Sequence, residues 1–140
     1  MSLKLYEIDH CAHDLVLNFR DKKDVLGESH KMRMTTAYGL ERFWGEHLRL
    51  KQKSSELEKA EFWEETWKVF SDIMKDAGIN IPKDSVDPKD TTAIKAMADQ
   101  LWKFDMEERK IALSVLIELC DSLVWWTQRY KKPRNKKETK

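Results

Sequence analysis

A chain of 140 residues is long enough for one hydrophobic core and short for two. Charged residues at 36% with only four Gly and three Pro favour solvated helices over sheets, so the expected fold is all-α, a single domain. Six Trp, five Phe and three Tyr exclude a disordered chain, and a net charge of +1 excludes a uniform polycation.

The first expected element spans residues 3–19, where Leu5, Ile8, Ala12, Leu15, Val16 and Phe19 recur at helical spacing. A polar run around Gly27 breaks it. A second helix is expected from Thr35 or Thr36, either of which can cap it, with Leu40, Trp44, His47, Leu48 and Lys51 on one stripe. A third is expected after Ser54 or Ser55, with Trp63, Thr66, Trp67, Phe70, Ile73, Met74 and Ala77 facing the core and Gly78 as its stop. INIPKDSVDPKDTT reads as the one substantial loop. A fourth helix over about 91–103 and a fifth from about Met106 to Tyr130, ending before Pro133, complete a bundle of four to five helices. The bundle domain is expected over 1–131, with 132–140 as a basic, mobile tail.

Cys11 and Cys120 match neither a disulfide framework nor a zinc motif, which favours free thiols in a reducing compartment. The chain shows no secretory leader, and its apolar runs read as too interrupted to cross a bilayer, so a cytoplasmic protein without a membrane partner is expected.

Two acidic motifs raise the question of catalysis. EFWEETW supplies Glu61, Glu64 and Glu65, and ELCD supplies Glu118 and Asp121. Facing carboxylates are how a helical bundle holds a hard divalent cation. The pair of motifs resembles the MazG-like all-α nucleoside triphosphate pyrophosphatases, which would make these five residues ligands for Mg2+. Helix geometry weighs against that reading, because Glu61 and Glu65 fall opposite the Trp63, Trp67, Phe70 and Met74 stripe and so face solvent. Arg42 and His47 in RFWGEH resemble the Arg-x4–6-His pattern of HEPN-type ribonucleases, yet His47 shares the apolar stripe. His10 and His13 lack a second ligand cluster. No phosphate-binding glycine loop or nucleophile motif is present, so a non-catalytic protein without a cofactor is the first expectation and the pyrophosphatase the alternative.

Charge is unevenly distributed. Residues 20–53 hold nine bases against five acids, 54–90 hold ten acids against five bases, and 122–140 hold seven bases and one acid. Arg42, Glu46, Arg49 and Lys53 share a face of the second expected helix, with Lys31 and Arg33 just before it, and a basic stripe of this kind can track a phosphate backbone. Arg129, Lys131 and Lys132 form a second basic cluster beside Trp125, Trp126 and Tyr130, whose rings could stack unpaired bases. RNA or single-stranded DNA is therefore an expected partner.

The segment MRMTTAYGLERFWGEHLRLK resembles a stretch of the small α-helical subunits of type III CRISPR effector complexes. That resemblance implies a non-enzymatic bundle in an antiviral defence assembly, supporting bound RNA or target strand, and it singles out Arg33, Arg42 and Arg49.

The last helix also suggests a protein partner or self-association. Ala112, Val115, Leu116, Leu119, Leu123 and Trp126 line one side, while Leu113, Ile117 and Val124 line another and, with Trp125, are the expected interface residues. A protein-interaction module without nucleic acid is thus a further alternative. Ser114, Glu118, Asp121 and Trp125 form the remaining strip, expected to reach water because unpaired buried carboxylates are costly.

Overall fold

The computed structural model describes residues 5–132. Its organising element is the helix Met106–Tyr130, expected from sequence and labelled α6 below. Around it stand α1 (Leu5–Phe19), α2 (Glu28–Thr35), α3 (Leu40–Lys51), α4 (Leu57–Asp76) and α5 (Thr91–Trp102), with no strand among the described residues. Over the described residues the protein is an all-α single domain with six α-helices, where the sequence suggested four or five. Residues 133–140 of the expected tail lie outside the described residues.

The additional helix is α2, in the stretch read as a polar break. Met32 is its only buried apolar residue, so it shows no stripe for periodicity to detect. Burying one Met stabilises by about 2 kcal/mol, while ordering each residue costs about 1–2 kcal/mol, so α2 depends on its tertiary bonds. Chief among them is Glu28, 2% exposed, which accepts from Trp63 Nε1 of α4 at 2.9 Å and pairs with Lys31 at 3.2 Å.

The threonines expected to cap the next helix instead close α2. Thr35 and Thr36 hydroxyls donate back to the carbonyls of Lys31 and Arg33, both at 2.7 Å. A short 3-10 turn and Gly39, at φ 99°, then intervene before α3 begins at Leu40. Ser54 and Ser55 likewise lie in a 3-10 turn ahead of α4 rather than at its cap.

The stop at Gly78 is as expected, and its geometry is specific. With φ at 83°, Gly78 donates to the Lys75 carbonyl and Ile79 to that of Met74, satisfying carbonyls that the end of α4 leaves open. The following loop is anchored by buried Ile79, Ile81 and Val86 and by Trp67 Nε1, which donates to the Pro82 carbonyl at 2.8 Å. Asp90 and Asp105 cap α5 and α6 through the amides of Ala93 and Glu108.

The core is continuous across the helices. Phe19 meets Phe62 at 4.9 Å between ring centres, and Phe43 packs on Trp63 at 4.9 Å. α3 packs on α4, while α1 and α2 both lie against α6. α1 runs parallel to the second half of α6, since Asp9 meets Trp126 and His13 meets Tyr130. α2 runs antiparallel to it, with Gly27 near Lys131 and Arg33 against Asp121. The 25 residues of α6 do have the length and apolar content of a membrane-crossing helix, contrary to the reading of its runs as too interrupted. In this fold it buries Ala112, Val115, Leu116, Leu119, Cys120, Leu123 and Thr127 in the core.

Candidate nucleic-acid interface

The end of α6 exposes its last carbonyls, which need donors, and the chain just after α1 supplies one. Arg20 Nε donates to the Tyr130 carbonyl at 2.8 Å, where the helix dipole also favours a cation. Lys132 pairs with Asp21, and its ammonium holds the Asp21 carboxyl below the usual carboxylate range. The Lys131 ammonium lies over Gly27. RDKK at 20–23 and RYKK at 129–132, far apart in sequence, thereby meet at one end of the bundle. Residues 20–24 and 129–132 bring six cations, Arg20, Lys22, Lys23, Arg129, Lys131 and Lys132, against the carboxylates of Asp21 and Asp24. Lys22 is engaged with Glu61 at 3.1 Å.

Aromatic rings continue from this basic end along the α1–α6 seam, in different states of engagement. Trp126 donates to Asp9 Oδ1 at 2.8 Å, stacks on Tyr130 with centres 5.4 Å apart and meets the edge of His13 at 4.5 Å. His13 Nε2 and the Tyr130 hydroxyl are in hydrogen-bond contact at 2.9 Å. Trp126 and Tyr130 are thus built into the seam, contrary to their expected role as open planes. Trp125 is the outward ring, 48% exposed, set nearly perpendicular to Trp126 with centres 4.7 Å apart and covered on one side by the Arg129 guanidinium at 3.7 Å. Next to it opens a shallow groove of about 350 Å³ lined by Asp9, Asp121, Ser122, Trp125 and Trp126.

The other expected basic residues are dispersed. Arg33 is on α2 and bridges to α6, with Nε 2.5 Å from Asp121 Oδ1 and a second bond to the Thr36 hydroxyl. Arg49 pairs with Glu46 on its own helix, Arg42 lies exposed over the Tyr38 ring, and Lys53 falls beyond the last turn of α3. The basic stripe of α3 is therefore partly neutralised.

The expected interface residues divide as well. Leu113 packs partly against the core, Ile117 and Val124 are half-buried, and Trp125 is exposed. The strip Ser114, Glu118, Asp121 and Trp125 is solvent-exposed throughout, as its composition required.

Four of the five carboxylates of the alternative metal reading have separate partners. Glu61 pairs with Lys22, Glu64 with Lys51 at 3.2 Å and Glu65 with Lys68 at 3.5 Å, while Asp121 takes Arg33 and Glu118 is exposed. Among the described residues no group of three His, Cys, Asp or Glu side chains is placed to hold a metal ion. Arg42 and His47 do not converge either. His47 is 4% exposed and its Nδ1–H donates to the Trp44 carbonyl at 2.5 Å. Burial holds its pKa below the ordinary value.

Sequence reasoning missed Arg20, Lys23 and Asp9 as members of this region. RDKK is a visible basic run, but only the parallel packing of α1 on α6 places it beside RYKK. Comparisons of the chain with family models, with curated proteins and with solved structures find no match in any of the three.

Proposed function

We propose that the protein is a non-catalytic helical binding subunit of an assembly that handles RNA or single-stranded nucleic acid. The observation that carries the reading is the meeting of RDKK and RYKK, which concentrates cations at one end of a molecule whose net charge is only +1. A localised positive end on a nearly neutral body orients a polyanion toward that end and gains free energy from counterion release. The interface of this reading is Arg20, Lys23, Arg129, Lys131 and Lys132. The stripe of Arg42, Arg49 and Lys53 on and just beyond α3 is secondary, since it gathers three cations against the six of residues 20–24 and 129–132. The resemblance of MRMTTAYGLERFWGEHLRLK to small subunits of type III CRISPR complexes is in keeping with this class of function, and the half-buried Ile117 and Val124 would face neighbouring subunits.

The test is fluorescence anisotropy of a labelled single-stranded RNA 12-mer over a salt series. Each phosphate neutralised contributes about −0.7 to the slope of log K against log salt, so Lys131→Ala with Lys132→Ala should flatten the slope by roughly 1.4. Arg42→Ala with Arg49→Ala should weaken binding less. Absence of binding at low salt, or an unchanged slope in the Lys131/Lys132 variant, would refute the reading.

A further inference from the structure

The groove beside Trp125 has a chemistry different from that of the basic end it adjoins. Its walls are formed by an exposed indole, a second indole nearly perpendicular to it, a serine and two aspartates. Two guanidinium groups hold its rim, Arg33 at Asp121 and Arg129 over Trp125. Local charge is therefore close to balanced. Carboxylate oxygens repel phosphate, so a strand lying on Arg129, Lys131 and Arg20 would not direct its backbone here. The carboxylates accept N–H donors well, and an indole face suits a flat aromatic ring.

Asp9 commits Oδ1 to Trp126, and Asp121 commits Oδ1 to Arg33. The second oxygen of each is then the acceptor a ligand would use. Among the bases, guanine carries two adjacent donors on its pairing edge, the N1–H and the N2 amine. Adenine and cytosine present a single amine beside an acceptor. Uracil places its one N–H between two carbonyl oxygens, which a carboxylate repels.

We propose that this groove takes one unpaired guanine of a bound strand. The ring lies against Trp125 and the pairing edge turns to Asp9 and Asp121, while Arg129, Lys131, Arg20 and Lys23 hold the flanking phosphates. The proposal rests on the nucleic-acid reading above and adds base identity and single-strandedness to it, because a paired guanine has no free pairing edge to offer.

The experiment compares three single-stranded RNA 12-mers by anisotropy at fixed salt: oligo(U), oligo(U) with one central guanine, and oligo(U) with one central adenine. The guanine 12-mer should bind about tenfold tighter than oligo(U), the discrimination typical of a good two-donor base contact, and tighter than the adenine 12-mer. Asp9→Asn keeps an acceptor for Trp126 but loses the carboxylate, and should abolish the guanine advantage. Trp125→Ala, at an exposed site that does not threaten folding, should reduce it. Equal affinity for the guanine and adenine 12-mers would mean stacking alone and overturn the proposal. So would equal affinity for all three, or a guanine preference that survives Asp9→Asn. Any of these three results would leave the salt-dependent binding of the basic end standing, whereas failure of every 12-mer to bind at low salt would remove the underlying reading too.

Discussion

Removal of the Glu28 side chain tests how the segment between α1 and α3 is held. Glu28 is buried at the first turn of α2, accepts from Trp63 Nε1 and pairs with Lys31, whose side chain is 63% exposed. The two bonds differ in weight. A short-range pair with an exposed lysine contributes about 0.5 kcal/mol, whereas a buried indole N–H left without an acceptor costs about 1–3 kcal/mol. Glu28→Gln keeps an acceptor for Trp63 and loses the ion pair, so it should destabilise by about 0.5–1 kcal/mol. Glu28→Ala loses both and should cost about 2–3 kcal/mol. Trp63→Phe removes the donor, and in a Glu28→Ala background it should cost less than it does alone, because there it also removes the N–H that the first change left orphaned. Urea unfolding of the wild type and the four variants, read by circular dichroism, gives the cycle and the Gln comparison. Equal losses for Glu28→Gln and Glu28→Ala, or strictly additive losses in the double variant, would refute the assignment of α2's anchoring to this bond.

Two further predictions concern buried titrating groups. Burial is the main cause that holds the His47 pKa below its ordinary value of 6.5, with the bond to Trp44, the Glu64 charge opposing it and the Lys51 charge adding to it. Because the folded pKa is the lower one, the unfolded chain takes up the proton first, and stability should fall as pH drops through about 6.5. His47→Leu should flatten that part of the urea midpoint against pH curve, and an unchanged curve would sink the argument. Burial also raises the pKa of both thiols, strongly for Cys120 and more modestly for the partly exposed Cys11. A chromogenic disulfide reagent should therefore titrate Cys11 slowly in the native protein and Cys120 only on unfolding, and two equally fast thiols would contradict the packing of α6.

What was legible in sequence was whatever one helix decides by itself. α6 ends where its apolar run stops before Pro133, its polar strip faces water, and Gly78 closes α4, because each depends on residues within a few turns. α2 was illegible for a definite reason. With Met32 alone buried it has no periodic stripe, and its retention depends on an indole 35 residues away. The capping threonines were misassigned for a related cause: a hydroxyl beside a helix can bond forward to amides or back to carbonyls, and only the position of Gly39 shows that Thr35 and Thr36 bond back. The basic end needed a still longer view, since Arg20 and Tyr130 are 110 residues apart.

That long-range pairing also bears on which cations are free to meet a ligand. An exposed ion pair contributes only about 0.2–1 kcal/mol, so pairing alone does not disqualify Arg49, whose Glu46 is one turn away on the same helix. Arg33 is different, because it joins α2 to α6 at Asp121 and also bonds Thr36, so withdrawing it would loosen a helix that buries a single methionine. Arg33 is thus better understood as a tie between helices than as a phosphate contact. Lys131 reverses the pattern: it is exposed, its ammonium lies over a glycine, and engaging a phosphate would cost the fold nothing comparable. The same comparison favours Lys131 at the end of α6 over Arg33 of α2 as a place where a strand would bind.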